Sequence, residues 1–302
     1  MLMENNQLEL DIGELIRSLW QQKIMIVAIT FVFAVASVLF AMSKPNLYKS
    51  EAVLFPVADN TPSSAMGQLG GLAALAGFGS QKSSKQAIAL ESLRSRAFLG
   101  AFIERRDILI PLMAIEHWDA ATGKVYIDPE IYDESTSTWT RVVSNGKTPK
   151  PTILEATKVL NELLVIDSNK TNGSTIVALT NQSPVLAKQW LDWLISDLNK
   201  WMKNKDINQA KNNIQYLEKQ LSLTNLSEMQ NVFYQLVEEQ TKKLMLAEAQ
   251  EDYIFDIIDP PVVPEEKDSP SRAIICVLGT LIGGILAMVI ALFRIALSRK
   301  NV

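Results

Sequence analysis

The side chains that most often perform catalysis or bind metals are few in this sequence, and they are scattered. His117 is the only histidine and Cys276 the only cysteine, and Cys276 lies within an uncharged apolar segment. A metal site, or a nucleophile activated by a histidine, needs several such groups close together. We therefore expect no metal ion and no nucleophile–histidine pair, and we expect His117 to be a surface or loop residue.

Two pairs of adjacent carboxylates, Asp133-Glu134 and Glu265-Glu266, are the remaining candidates for acid–base chemistry. Neighbouring side chains point apart, whereas general acid–base catalysis needs both groups aimed at one substrate. We interpret both pairs as solvated surface charge. The chain also contains no G-x-x-x-x-G-K-[ST] loop to hold nucleotide phosphates. The sequence thus predicts a protein that is not an enzyme, has no kinase activity and needs no cofactor.

The elements around these residues include two uncharged apolar segments, Ile24–Met42 and Ala273–Phe293. A helix of about 20 apolar residues crosses a hydrocarbon core of about 30 Å, so each segment predicts a transmembrane helix. The acidic residues ahead of the first segment, and its length, favour an anchor over a cleaved signal peptide. The predicted organisation is a leader, a span, a large enclosed domain, a second span and a tail, at residues 1–23, 24–42, 43–272, 273–293 and 294–302.

Charge indicates the orientation of the chain. Two spans place both termini on the same side, and Arg294, Arg299 and Lys300 give the C-terminal tail a small excess of basic residues. The positive-inside rule then favours cytoplasmic termini, with residues 43–272 translocated. The net charge of −4 gives no indication of a nucleic-acid partner.

Within the enclosed domain, hydrophobic patterning and turn residues predict a mixture of strands and helices. The segment 66–79, rich in Gly, Ala and Leu, fits either a flexible loop or a short packed helix. Short strands and turns are expected in 111–150. The predicted strands are Tyr48–Pro56, Leu164–Asp167, Thr175–Thr180 and Tyr253–Ile258, and the predicted helices are Lys85–Arg106 and Pro151–Leu164.

Two long helices are predicted over about residues 184–250. Ser183-Pro184 is typical of a helix start, and the following 75 residues, Val185–Asp259, contain neither Gly nor Pro. Apolar residues recur in steps of three and four in two sets that are out of phase, which predicts a break near 222–227. The first set is Ile207, Ala210, Ile214, Leu217 and Leu221, and the second is Leu226, Met229, Phe233 and Leu236.

An apolar stripe on so long a helix needs a partner. The partner is the second helix, another copy of the chain, or both, and one short return helix cannot cover the whole stripe. We therefore expect Ile207, Ile214, Leu217 and Leu221 to pack between helices of one or two protomers.

The second span and the segment before it carry a further pattern. Small residues spaced by four lie on one helix face and let another helix approach closely. The alternative is that glycines are simply common in membrane helices. The prolines of residues 259–270 predict a stiff, extended connection into the span. The candidate packing residues are Gly279, Gly283 and Ala287, and the prolines are Pro260, Pro261, Pro264 and Pro270.

The order of these elements resembles a known family. A leader and a span precede a strand with Tyr48-Lys-Ser, and a helix with Leu93-Arg-Ser-Arg96 and a long coiled helix follow. The Pro-Pro-Val-Val-Pro segment and a glycine-bearing span complete the series. Nearly the whole chain resembles the Wzz-type chain-length determinants, the polysaccharide co-polymerases of bacteria, with residues 253–293 the most specific part.

The resemblance implies an α+β membrane protein in which two transmembrane helices flank a periplasmic α/β base with a long projecting helical hairpin. It implies a location in the bacterial inner membrane and assembly into ring-shaped homo-oligomers. The implied function is non-enzymatic control of polysaccharide chain length, such as that of O-antigen lipopolysaccharide, together with a membrane-embedded polymerase. Lipid-linked polysaccharide is a further candidate ligand. A co-polymerase for capsule or exopolysaccharide export, a regulator of enterobacterial common antigen, and a periplasmic sensor or scaffold remain alternatives.

Overall fold

The computed structural model describes residues 20, 22–57, 81–144, 146–169, 171–224, 226–250 and 252–299. Most of the predicted leader and the 66–79 segment lie outside the described residues. The chain divides into two compact units, one formed by residues 1–46 and 267–302 and the other by residues 47–266.

The first unit is built on a pair of apolar helices, α1 (Lys23–Ser43) and α8 (Arg272–Arg299). Both are long and apolar enough to cross a membrane. Small residues form their buried contact, including Ser37 and Ala41 on α1 and Ala287 and Ala291 on α8. Most of the large apolar side chains of the pair point outward, as a lipid environment requires and water would penalise.

A four-stranded antiparallel sheet organises the second unit. Its strands are β1 (Tyr48–Pro56), β6 (Leu164–Ser168), β7 (Thr175–Asn181) and β8 (Phe255–Asp259). Their order in the sheet is β6-β7-β1-β8, so the inner strand β1 pairs with strands that lie far away in the sequence. The predictions for all four strands are confirmed, with small shifts at their ends.

One face of this sheet is covered by helices. Ala52 and Leu54 of β1 and Leu179 of β7 are fully buried and join one hydrophobic core with the helices. The prediction of helix over 151–164 is confirmed. Four helices that precede the long hairpin contribute to this core: α2 (Gln81–Arg94), α3 (Arg96–Arg106), α4 (Leu109–Met113) and α5 (Ile153–Leu163).

The prediction of a single helix over Lys85–Arg106 is wrong, because the chain breaks at Ser95. That residue is extended, and its hydroxyl accepts a hydrogen bond from the Phe98 amide, as an N-cap does. On a continuous helix Leu93 and Phe98 would point about 140° apart. The break lets both side chains enter the core, where each is at most 1% exposed.

Two small hairpins follow α4, which confirms the prediction of short strands and turns. They pair β2 (Ile115–Trp118) with β3 (Val125–Ile127) and β4 (Tyr132–Asp133) with β5 (Thr138–Trp139). His117 lies on a strand rather than a loop, with a half-exposed side chain stacked on Tyr126. The Asp133 carboxylate accepts hydrogen bonds from Ser135 and Thr136 in an exposed turn, and these bonds lower its pKa. The Asp133 carboxylate therefore has a structural role in stabilising this turn.

The start of α5 is held by a group of charges around Glu155. Thr152 and Glu155 form a reciprocal capping box. The Glu155 carboxylate also contacts Lys147 at 2.9 Å and Arg141 at 2.6 Å. The hydrogen bonds from Lys147 and Arg141 lower the pKa of Glu155 to about 2. This carboxylate therefore ties the preceding loop to the helix.

Two long helices complete the second unit, and the predicted break between them is confirmed. Helix α6 (Pro184–Leu223) begins with Ser183 as N-cap and spans about 60 Å, and α7 (Ser227–Ala249) returns antiparallel to it. The first half of α6, to Met202, supplies Trp190 and Leu194 to the core. The second half extends beyond that core and packs on α7, so the expected long helical hairpin is present.

Candidate functional site: the hairpin, the membrane helix pair and the proline segment

The seam of the hairpin contains the first heptad set. Ala210 is 5% exposed, whereas Ile207, Ile214, Leu217 and Leu221 are only half-buried. Polar contacts run beside them. The Asn213 amide donates to Gln240 at 3.2 Å, and the Lys203 ammonium donates to the carbonyls of Glu248 and Gln250 at 3.0 and 2.7 Å. The predicted packing residues therefore line the hairpin but are not fully covered by α7.

The second heptad set does not form the other side of the seam. Of its four members only Phe233 is half-buried, while Leu226, Met229 and Leu236 are 68%, 46% and 38% exposed. Helix α7 instead presents a different row to α6. That row steps by four and three and consists of Phe233, Val237, Gln240, Leu244 and Ala247. Leu226, Met229 and Leu236 thus have heptad spacing but are exposed to solvent rather than packed against α6.

This arrangement leaves an apolar row exposed on each helix near the turn. Tyr216 and Leu223 are seven residues apart on α6, and Met229, Val232 and Leu236 share a face of α7. Exposed apolar side chains in rows, rather than singly, mark a surface for association. We call these residues the hairpin apolar surface: Tyr216, Leu223, Leu226, Met229, Val232 and Leu236.

In the membrane pair, the predicted small residues lie where the two helices approach most closely. A Cβ atom placed on Gly279 would lie 2.4 Å from the Cβ atom of Ser37, and one on Gly283 would lie 2.4 Å from that of Phe33. Ala287 is fully buried in the same contact. Only glycine leaves room for this approach, since a methyl group at either position would overlap its neighbour. Whether this face matters for assembly or function stays a prediction.

Residues 260–264 form neither helix nor strand, and the extended, stiff connection expected from the prolines stays a prediction. Pro261 is buried, Pro264 and Pro270 are half-buried, and Pro260 is exposed. The Ser50 hydroxyl on β1 donates a 2.8 Å hydrogen bond to the Val262 carbonyl, which holds the middle of the segment on the sheet. The expected role of the prolines as a fixed spacer stays a prediction.

A clasp between α6 and the returning chain was not predicted from the sequence. Asn199 is 6% exposed, and its amide group donates to the Phe255 carbonyl at 2.9 Å. Its oxygen accepts from the Ile254 and Phe255 amides at 3.0 and 3.1 Å. The clasp satisfies three backbone groups at the start of β8. The sequence signal for this contact was Asn199 itself, a polar residue on the same helix face as the buried Ile195 and Met202.

A second polar group lies about two turns further along α6. The Tyr253 hydroxyl donates to Asp206 at 2.6 Å, and the Lys85 ammonium contacts Asp206 at 2.9 Å and the Tyr253 hydroxyl at 3.2 Å. Burial, followed by the bond to Asp206, raises the pKa of Tyr253 to about 12. Burial alone would lower the pKa of Lys85, but its hydrogen bonds outweigh that effect and raise it. Together with Asn199 this group fixes the return of the hairpin to the sheet.

In the part of the chain that the structure describes, no cluster of three or more His, Cys, Asp or Glu side chains could hold a metal ion. The residues of the hairpin, the membrane helix pair and the proline segment can pack against other helices and recognise a binding partner. The fold and these contacts define a class: a membrane-anchored α+β protein with an apolar helix near each terminus and a long helical hairpin in the sequence between them.

Two family models match this chain. The model described as "Chain length determinant protein" (Wzz) matches residues 8–105. The model described as "G-rich domain on putative tyrosine kinase" (GNVR) matches residues 218–296. These matches confirm the resemblance to the Wzz chain-length determinants and support a chain-length regulator.

Solved structures show a distant likeness. A full-length bacterial polysaccharide co-polymerase is 14% identical, with 96% of this chain and 99% of that chain covered and a TM-score of 0.40. A fragment of WzzB, a polysaccharide co-polymerase from Salmonella Typhimurium, is 14% identical, with 74% and 100% covered and a TM-score of 0.31. None of the curated proteins matches this chain in sequence.

Proposed function

We infer that this chain sets the length of a cell-surface polysaccharide as a homo-oligomeric scaffold that works with a separate polymerase. The observation that supports this most is the hairpin apolar surface on a chain that matches the Wzz family model. The scaffold lies in the bacterial inner membrane with residues 43–272 in the periplasm. It performs no catalysis itself, and its contribution is to hold copies of itself, and the enzyme that elongates the polymer, in a fixed arrangement.

The exposure of the hairpin supports association between copies. Leu223 and Leu226 at the turn are each 68% exposed, and Ile214 and Leu217 in the seam are only partly covered by α7. Burying a large apolar side chain contributes roughly 1.5–3 kcal/mol, so a row of them on each copy provides a strong drive for packing. A neighbouring hairpin offers the same rows and closes the surface in a symmetric oligomer.

The membrane pair supports the second part of the proposal. Apart from the small contact residues, α1 and α8 present large apolar side chains outward, among them Phe31 at 67% and Val277 at 64% exposed. Such faces suit both lipid and the helices of a membrane-embedded polymerase. The orientation can be tested with alkaline phosphatase, which should be active when fused after Asn145 and inactive when fused after Lys300. The reverse pattern would contradict a periplasmic domain.

The function is tested by a polysaccharide ladder gel of a strain that lacks this chain. We expect the deletion to abolish the preferred length and leave an unregulated ladder, because the polymerase then acts without its scaffold. Wild-type protein supplied in trans should restore the preferred length. An unchanged ladder in the deletion strain would contradict the proposal.

A second candidate is a co-polymerase for capsule or exopolysaccharide export. The observation that favours an export role is the match of residues 218–296 to a domain described from putative tyrosine kinases. That match includes α7 and the second span. The two candidates differ in their readout. Deletion should change the amount of secreted polymer if the chain serves export, and the ladder of lipid-linked polymer if it controls length.

A further inference from the structure

A cluster of basic residues lies where the end of α3 meets the middle of α6. Arg106 makes a bidentate contact with Asp197, with its Nε and Nη2 atoms 3.2 and 2.8 Å from the two carboxylate oxygens. Arg105 adds a third contact at 3.1 Å. The Asp197 side chain is 2% exposed, and the Arg106 guanidinium also lies 4.9 Å above the Trp193 ring. Both arginines are therefore held in place by the fold.

These residues form one wall of an open groove with a volume of about 690 Å³. The other side chains come from one helix and recur every three or four residues along α6, which places them on the same face. They are Lys200, Trp201, Asn204, Lys205 and Asn208. The groove is in the size range of pockets that hold small ligands.

The charge of the groove is unbalanced. Arg105, Arg106, Lys200 and Lys205 face a single carboxylate, that of Asp197, on a protein whose net charge is −4. Lys200 and Lys205 are exposed and have no ion-pair partner among the described residues. One buried carboxylate needs one or two cations, and additional cations beside it repel each other unless an anion joins them. A structural salt bridge therefore does not account for the two lysines.

The remaining groups indicate the kind of anion. Trp201 is half-buried, with its ring held edge-on to Phe98 at 5.8 Å, so it offers a rigid apolar surface. Asn204 and Asn208 supply amide groups that both donate and accept hydrogen bonds. An aromatic ring with amides suits the apolar face and hydroxyl groups of a sugar, and the cations suit a carboxylate or phosphate on it.

We propose that this groove binds an acidic segment of polysaccharide, with Lys200 and Lys205 contacting the anionic group and Trp201 and the asparagines contacting the sugar. The proposal rests on the proposed function and names the ligand that the scaffold would hold. It makes direct binding of the polymer, rather than assembly alone, part of how length is sensed.

The experiment measures binding of a short oligogalacturonate to the full-length protein in detergent by calorimetry. The test variant is Lys200→Glu with Lys205→Glu, and the control is Lys124→Glu with Lys219→Glu, two exposed lysines outside the groove with the same change in charge. We expect the test variant to bind at least about tenfold more weakly and the control to bind as the wild type does. Raising the salt from about 50 to about 200 mM should weaken wild-type binding.

Three further arms decide the assignment. Replacement of both lysines by arginine should retain binding, and a neutral malto-oligosaccharide should bind more weakly than the oligogalacturonate. A phosphate-bearing sugar binding better than the uronate would assign the anion as phosphate and support the proposal. Equal binding by the test variant and the wild type, equal binding of the neutral sugar, or no wild-type binding would overturn it.

The mass of the detergent-solubilised protein should be unchanged in the test variant. A fall in its mass by light scattering would make the groove an interface between copies and would also overturn the proposal. The result is separable from the proposed function. A deletion strain that loses its preferred length while the groove fails to bind acidic sugar would leave the scaffold role intact and refute the groove alone.

Discussion

The contact between the two membrane helices gives the sharpest prediction, because neighbouring glycines differ in their surroundings. We compare Gly279→Ala and Gly283→Ala with Gly284→Ala. A Cβ atom at the first two positions would lie 2.4 Å from the Cβ atoms of Ser37 and Phe33, whereas at Gly284 its nearest neighbour would be Thr30 Oγ1 at 3.9 Å. All three changes add the same methyl group to the same helix.

The expected magnitude follows from these distances. Carbon atoms pack favourably at about 3.5–4.0 Å, so a Cβ atom at 2.4 Å must move by more than about 1 Å. The atoms in its way are Cβ atoms, which are fixed to the backbone, and a change of rotamer cannot relieve the overlap. The helices must separate, at a cost of roughly 1–3 kcal/mol for each overpacked site. Lipid supplies no hydrophobic drive to bring them together again.

The assay reports the separation directly. In a Cys276→Ser background, Thr30→Cys and Gly284→Cys place two thiols on facing positions of the helix pair, since a Cβ atom at Gly284 would lie 3.9 Å from Thr30 Oγ1. We expect rapid oxidative cross-linking when Gly279 and Gly283 are native and much slower cross-linking when both are alanine. In cells, the double alanine variant should insert normally and shift or broaden the polysaccharide length distribution, while Gly284→Ala should behave as the wild type.

The reasoning is refuted if the double alanine variant cross-links at the native rate and retains the native ladder. That result would mean that the two glycines reflect only the general frequency of glycine in membrane helices. A ladder altered equally by Gly284→Ala would also refute it, because that position has room for a methyl group.

Three other predictions concern the second unit. Ile214→Asp with Leu217→Asp should lower the mass of the detergent-solubilised protein, or unfold it, because burying unpaired charge costs several kcal/mol, and an unchanged mass by light scattering would show that the stripe stays in solvent. Asn199→Leu should lower the free energy of urea unfolding by roughly 2–5 kcal/mol because three buried backbone groups lose their partner, whereas the exposed Asn212→Leu on the same helix should change it little. The pKa of Glu155 is lowered from 4.5 to about 2, so its ionised carboxylate stabilises the fold above about pH 4.5 and loses that effect as the pH falls toward 2. In chemical unfolding, Glu155→Gln should therefore be less stable than the wild type at pH 7 and equal to it below about pH 2.

Features that depend on neighbouring residues could be predicted from the sequence. The two membrane helices follow from uncharged runs of about 20 residues, since no other local structure satisfies their backbone in lipid. Strand β1 and the break between the long helices follow from short patterns of the same kind, and the structure places them within a few residues of their predicted bounds.

Features that depend on which face of an element meets another could not. Two apolar rows on α7 have helical period, and only the tertiary packing decides that Phe233, Val237 and Leu244 face α6 while Met229 stays exposed. The break at Ser95 is a similar case. The residues around it also fit a continuous helix, and only the packing of both Leu93 and Phe98 into the core requires the break.

The sequence by itself determined the resemblance to the Wzz chain-length determinants, the two spans and the presence of a long helical hairpin, because each leaves a local or ordered pattern along the chain. Only the tertiary structure decided the contacts that join distant positions. Asn199 meets Phe255, Asp197 meets Arg106, and Gly283 meets Phe33 across separations of 56, 91 and 250 residues. The physical reason is that a hydrogen bond or a close approach depends on distance in space, and no period along the chain records that distance.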